Sequence, residues 1–392
     1  MSKIRIICLL ILVTLISASI FCPFTPSAKA EVYNNQIIVK LHTGVSIEPI
    51  ASIFGLTIVD RLTEKQEYLL GVPLGTNLNL LLFLLSNTIG VVDAGPNTVT
   101  YSLAQPTGFT GDKPIVLGSD PSHYNNQQLN SFLQINSLRN YSQGEGVKVA
   151  VIDTGVDLFH PALNGRVATT GYDYIDRDNI PYDELGGSKA GHGTFVAGLV
   201  LLMAPQAQIL PMRVLDSDGV GDAFHISAAI YQAADQNAKV INLSLGTDQD
   251  TGMLHRAITY AQNKGCVVTA AMGNANSDAG NISPANYSDV LAIAATDFID
   301  QKASFSNYGS SVSLTAPGVN LVSTFPGGFY ASWSGTSFST PLASGQAALL
   351  VSKGKNANAV TSIMKASAVR LPQSQYLLGY GRINPLNSIS QY

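Results

Sequence analysis

Apolar and polar positions follow two different patterns along the chain, and the change comes about a third of the way in. Between residues 31 and 104, short apolar runs alternate with segments of helical spacing. Gln36 to Leu41, Leu56 to Leu62 and Tyr68 to Val72 read as strands. Ile47 to Phe54 and Leu78 to Leu85 read as helices, and Val91-Val92 opens a last strand. The predicted order βαββαβ is that of a split-βαβ unit. From Pro106 to Pro121, proline and glycine crowd together with Ser, Asn and Gln, the composition of a linker.

From about Leu129 onward the apolar runs become short and continuous: Val147 to Ile152, Ile209 to Val214, Val240 to Leu245 and Val267 to Ala271. Runs without alternation predict strands buried on both faces. Helical patterns separate them at Val196 to Met203, Ile226 to Asp235, Met253 to Asn263 and Pro341 to Leu350. Strands alternating with helices predict the α/β class, a mostly parallel sheet with helices on both faces.

The first thirty residues stand apart. Lys3 and Arg5 precede the apolar run Ile6 to Ile16, and Ala28-Lys29-Ala30 offers a small-residue cleavage site. This is the pattern of a secretory signal, residues 1–30. A membrane anchor is the rival reading, but the run is short for a span. Removing Lys3, Arg5 and Lys29 from the 22 basic residues leaves 19 against 26 acidic ones, a net charge of −7. An acidic chain carries no electrostatic footprint for nucleic acid. Cys8 and Cys22 leave with the signal, so Cys266 remains alone and an internal disulfide is excluded. Its apolar neighbours Val267 and Val268 make it a small core residue. With 46% hydrophobic and 12% charged residues, the rest has ample material for a large core.

Three segments carry candidate chemistry. Val149-Ala150-Val151-Ile152-Asp153-Thr154-Gly155 is a buried strand ending in an acid and a glycine turn. In open α/β sheets, sites gather at the carboxyl ends of strands. Gly191-His192-Gly193-Thr194-Phe195 opens an apolar helix, with glycines leaving room around an imidazole. Gly335-Thr336-Ser337-Phe338-Ser339-Thr340-Pro341 puts a serine at the mouth of another helix, near the positive end of its dipole. Taken singly, the acid is also compatible with a helix cap or a metal ligand, the histidine with a cap, and the serine with an ordinary helix start. Together they stand in the order Asp, His, Ser, which distinguishes one triad fold from the others.

On these motifs the stretch from Leu129 to the C-terminus resembles the subtilisin-like serine peptidases, or subtilases. The resemblance implies Ser337 as nucleophile, His192 as general base and acid, and Asp153 as the group that orients the imidazole. Ala271-Met272-Gly273-Asn274 matches the family's oxyanion segment, with Asn274 as donor beside the backbone N–H of Ser337. Gly219-Val220-Gly221 and Ser244-Leu245-Gly246 match the two edges between which a peptide lies extended, which implies broad specificity for polypeptide substrates. Ile282 matches a wall of the pocket before the cut. Residues 31–104 resemble the propeptides of secreted subtilases, which chaperone and inhibit their own enzymes. Residues 105–128 would be the linker with the maturation site and 129–392 the catalytic domain.

The chain departs from the family pattern at Phe338 and Leu342, where Met and His are common, and at Phe195, where His is common. None of the three belongs to the triad. A calcium site common in the family is missing its acid, because Ala162 follows His160-Pro161. Asp173, Asp176 and Asp178 resemble the calcium loop of thermitase-like members and are the candidate metal ligands, against a solvated acidic turn. The expectation is thus a secreted, monomeric serine endopeptidase needing no cofactor for chemistry and released from membranes once its signal is cut. The rival is a catalytically inactive binding protein on the same fold. Loss of a triad member would mark that rival, and none is lost.

Overall fold

The computed structural model of the protein describes residues 35–102, 113–278, 280–372 and 378–391. The expected signal and residues 105–112 of the linker lie outside the described residues. The chain divides into two compact units, Met1–Val99 with Thr251–Met253, and Thr100–Asp250 with Leu254–Tyr392.

In the smaller unit the order is β1 (Gln36–Leu41), α1 (Ile47–Phe54), β2 (Thr57–Leu62), β3 (Glu67–Gly71), α2 (Leu78–Ser86) and β4 (Val91–Pro96). The strands form one sheet in the order β2-β3-β1-β4. Antiparallel pairing sets Ile37 opposite Leu70 and Val39 opposite Tyr68. The apolar positions behave as their spacing demands. Ile47, Ile50 and Ala51 of α1 and Leu81 and Leu85 of α2 turn to the sheet, at i, i+3 and i+4 intervals.

The larger unit is built on seven parallel strands: β7 (Lys148–Asp153), β8 (Tyr172–Asp173), β9 (Gln208–Arg213), β11 (Val240–Leu243), β13 (Val267–Ala271), β14 (Leu291–Thr296) and β15 (Leu314–Pro317). Their order is β15-β14-β13-β11-β7-β9-β8. The chain therefore runs from β7 to β8 at the edge, comes back to β9, passes β7 to β11, and continues the other way. That reversal beside β7 is where an open α/β sheet leaves a crevice at its carboxyl edge. Smaller sheets join β5 (Val99–Ser102), β10 (Val220–Asp222) and β12 (Leu245–Gly246), and β6 (Ile115–Gly118), β16 (Leu321–Phe325) and β17 (Phe329–Trp333).

Four helices accompany the sheet: α3 (His192–Met203), α4 (Ala223–Asp235), α5 (Gly252–Asn263) and α6 (Thr336–Ser352); α7 (Ala357–Ser367) and α8 (Pro385–Gln391) follow. Every residue of α3 and all of α6 up to Leu350 are buried, so both helices are enclosed on every side. They start earlier than the hydrophobic pattern suggests, because their first turns are Gly, His, Ser and Thr. Pro341 is not a helix start but an interior residue of α6. Having no N–H, it cannot bond the carbonyl four residues back. That carbonyl belongs to Ser337, and it accepts from Ser244 Oγ instead (2.7 Å).

Cys266 is buried, donates to the Ala238 carbonyl (3.1 Å), and has its thiol pushed up to about 11 by burial. Among the described residues no helix is long and apolar enough to cross a membrane.

The acids of the expected calcium loop meet backbone N–H groups and an arginine. Asp173 Oδ1 accepts the N–H groups of Ile175 and Asp176, and Asp178 Oδ1 accepts that of Ile180. Asp173 Oδ2 and Asp176 Oδ2 both accept from Arg213 Nη1, at 2.7 and 2.5 Å, while Arg213 Nη2 donates to Glu184 (2.7 Å). A buried guanidinium supplies the positive charge that a calcium ion was expected to bring. Among the described residues no group of three His, Cys, Asp or Glu is placed to hold a metal ion. Burial raises the Asp173 carboxyl above its ordinary value, against the pull of its hydrogen bonds and of Arg213. Arg213→Met leaves that buried carboxylate without its partner, and an expected destabilisation of about 3–5 kcal/mol follows. A melting curve checks this; an unchanged midpoint would mean that the cluster contributes nothing net.

Candidate active site

Asp153 ends β7 and is fully buried. Its Oδ1 accepts the backbone N–H of Thr154 (2.8 Å) and Nδ1–H of His192 (2.6 Å). His192 is the first residue of α3 and is also fully buried. With Nδ1 committed as donor, the tautomer is set and Nε2 is left basic. Nε2 has no hydrogen-bond partner among the described residues. The ring is held edge-on to Trp333 (centroids 5.7 Å, 85°) and lies 5.3 Å from the ring of Phe338. Phe195 completes this aromatic cluster, 4.5 Å from Phe338. Two of the departures from the family pattern thus pack together behind the imidazole.

The closeness of β7 and α3 depends on a missing side chain. A Cβ at Gly193 would stand 2.1 Å from the Gly155 carbonyl and 3.1 Å from Asp153 Cβ. The glycine lets the helix start touch the turn that carries the acid.

A fourth residue, Asp183, binds these pieces together. Its Oδ1 accepts Gly191 N–H (3.0 Å) and Thr154 Oγ1–H (3.1 Å), and its Oδ2 accepts Thr194 N–H (2.9 Å) and Oγ1–H (2.6 Å). Thr154 Oγ1 in turn accepts Gly193 N–H (2.9 Å). One buried carboxylate therefore caps the first turn of the His192 helix and holds the turn after Asp153, where the helix dipole favours negative charge. A lone acid in an irregular loop carries no local signal, and the sequence did not reveal it. Burial pushes this carboxyl up to about 7, with Thr194 and Gly191 opposing and Asp153 adding. The folded protein thus holds this proton more tightly than the unfolded chain. The resulting stability is complete below about pH 4 and is lost as pH rises through about 7. The melting temperature of the parent minus that of Asp183→Asn is expected to shrink between those two values. A constant difference would show that the carboxyl does not titrate there.

Ser337 is the second residue of α6. Its Oγ donates to the Ser244 carbonyl (3.1 Å), so Ser244 and Ser337 clasp each other through two reciprocal bonds. Asn242 Nδ2 donates to Ser244 Oγ (2.9 Å) and holds the clasp from β11. First-turn N–H groups of a helix have no acceptor within the helix, and the N–H of Ser337 is one of these. Asn274 follows β13 and is 5% exposed. Its Oδ1 accepts the N–H of Thr336 (2.9 Å), which turns the amide so that Nδ2 is the end left to face Gly335.

The two edges hold a strand of the chain itself. Tyr101 pairs antiparallel with Gly246 and Ser102 with Leu245. Ser102 N–H donates to the Gly219 carbonyl on the other side (2.8 Å). Thr247 and Ser283 exchange both backbone bonds (2.9 Å each), which sets Ile282 on the loop beside the Ser244 edge. All six residues Gly219, Val220, Gly221, Ser244, Leu245 and Gly246 therefore lie on the two lines that flank residues 100–102. Asp173, Asp176 and Asp178 belong to the separate Arg213 cluster.

Residues 144–381 match the Subtilase family. The chain is 44% identical over 255 residues to a thermophilic serine proteinase of Bacillus sp. strain AK1, covering 62% of each chain. It is 40% identical over 281 residues to thermitase of Thermoactinomyces vulgaris, covering 69% of this chain and 98% of thermitase. Among solved structures, a cold adapted subtilisin-like serine proteinase aligns with TM-score 0.57 at 33% identity, over 62% of this chain and 90% of its own. Fervidolysin from Fervidobacterium pennivorans aligns over 91% of this chain and 61% of its own, with TM-score 0.77. At 23% identity, that likeness is one of fold alone.

Proposed function

The chain belongs to the subtilase family, whose members are serine endopeptidases, and we propose that it is a secreted proenzyme cutting polypeptides through Asp153, His192 and Ser337. The observation that carries the reading is the buried Asp153–His192 pair at 2.6 Å, whose imidazole lies 5.3 Å from the ring of Phe338, the neighbour of Ser337. Ser337 Oγ turns from Ser244 to Nε2, gives up its proton and attacks the scissile carbonyl. Asn274 Nδ2 and the N–H of Ser337 donate to the oxyanion, where charge develops. His192 then passes its proton to the leaving amine, and water repeats the sequence on the acyl-enzyme. Asp153 holds the tautomer and stabilises the imidazolium. Nothing in this chemistry requires a metal or organic cofactor.

The same reading makes residues 31–104 an inhibitor cut from its own enzyme. Its support is the strand at Tyr101 and Ser102, held between Gly219 and Leu245 as a peptide product would be. The proposed cut follows that strand, between Tyr101 and Asn125. The freed unit stays bound and inhibits until degraded.

Two readouts test this together. A serine-directed phosphonylating reagent is expected to label Ser337 alone and abolish casein cleavage. N-terminal sequencing of the mature enzyme is expected to find its first residue between Tyr101 and Asn125. Full activity after labelling would end the triad assignment, and a mature terminus outside that window would end the cleavage assignment.

A further inference from the structure

Met272 to Ser277, the loop that carries Asn274, contains no helix or extended strand. An oxyanion donor must nevertheless be aimed to within about half an ångström. The amide end of Asn274 is held by Thr336, as described. Its backbone is held by Thr336 Oγ1, which accepts Gly273 N–H (3.1 Å), and on both sides by a distant side chain, Asn307, which is 1% exposed.

Asn307 binds the loop on both sides of Asn274. Its Nδ2 donates to the Met272 carbonyl (3.0 Å). Its Oδ1 accepts Ala275 N–H (2.9 Å), Ser277 N–H (3.1 Å) and Ser277 Oγ–H (3.2 Å). Its own N–H donates to the Gly273 carbonyl (2.9 Å). Three donors facing one end and a carbonyl facing the other leave one orientation of the amide that satisfies all of them. The side chain also lies directly against Gly273. That residue sits at φ +99°, and a Cβ there would stand 2.4 Å from Asn307 Nδ2. A left-handed backbone with no room for a side chain is one that glycine alone supplies without strain. The conformation that presents Asn274 is thus written around Asn307.

We propose that Asn307 is the positioning residue for Asn274, acting on the transition state only through that amide. The proposal rests on Asn274 being the oxyanion donor. Asn307 touches neither substrate nor the triad itself, so its effect should appear in kcat rather than KM.

The test is a double-mutant cycle on the matured enzyme with a small peptide amide substrate, run well below the melting temperature of each variant. Asn307→Ala is expected to lower kcat about ten- to a hundredfold with KM within about twofold, the size of a misplacement of about 1 Å. Asn307→Asp keeps the acceptor and loses the donor to Met272, and its kcat is expected to fall between. In the Asn274→Ala background, Asn307→Ala is expected to change kcat by less than about threefold, because residues acting as one unit are non-additive. An equal loss in both backgrounds would overturn the proposal. So would a loss confined to KM or to the melting temperature, an unchanged kcat, or failure of both Asn307 variants to fold. If Asn274→Ala alone keeps full kcat, it is the oxyanion reading that fails.

Discussion

Ser337→Ala is expected to accumulate as an uncut proform beginning at Glu31, with casein cleavage lowered about a millionfold, the magnitude known for subtilisin. The substitution removes one oxygen from a buried helix start. The Ser337 carbonyl keeps its bond from Ser244 Oγ (2.7 Å), while the hydrogen bond from Ser337 Oγ to the Ser244 carbonyl, at 3.1 Å, disappears. The fold should therefore survive, and the defect is chemical. Without Oγ there is no nucleophile for the substrate or for the proposed maturation cut. The strand at Tyr101 and Ser102 then remains covalently joined to the residues that follow it. N-terminal sequencing and a casein assay on the purified variant read both consequences. Normal maturation without added protease would show that another enzyme makes the cut. Undiminished casein cleavage would remove Ser337 from the mechanism altogether.

Asn274→Ala is expected to lower kcat by about two to three orders of magnitude, or about 2.7–4 kcal/mol of transition-state stabilisation, with KM little changed. Donors of an oxyanion hole are placed for the oxyanion rather than for the ground-state carbonyl oxygen, so the bond strengthens as charge develops. An interaction made only in the transition state affects kcat and leaves binding alone. The variant also leaves the N–H of Thr336 without the oxygen it now reaches at 2.9 Å, a buried donor worth about 1–3 kcal/mol when orphaned. A modest fall in melting temperature should therefore accompany the kinetic loss. Equal losses in kcat and in substrate affinity would instead show that Asn274 binds the substrate generally.

Much of this was readable without the structure, for identifiable reasons. The continuous apolar runs placed β7, β9, β11 and β13, because a strand buried on both faces has no polar alternation to keep. The Asp153, His192 and Ser337 segments were legible because each joins a regular element to a glycine-marked turn, a combination visible within a few residues. Element starts were less legible. The opening turns of α3 and α6 are made of Gly, His, Ser and Thr, whose low helix preference is overridden by complete burial. Pro341 read as a helix start because its missing N–H suits that place, and only the nearby Ser244 hydroxyl lets it sit in the interior.

The sequence by itself determined the strands β7, β9, β11 and β13, the helices α3 to α6 between and after them, their order, and the residue types that meet at the carboxyl edge of the sheet. The tertiary structure alone decided which charge answers Asp173 and Asp176. It put Arg213 there because β8 and β9 pair with residue 173 beside residue 213. It alone brought Asp183 to the start of α3, Asn307 under the Asn274 loop, and Ser102 between Gly219 and Leu245. Local patterns record what a residue meets within its own element, since helical and strand periods span only a few positions. Contacts between residues tens of positions apart depend on sheet order and register, which no short stretch of sequence contains.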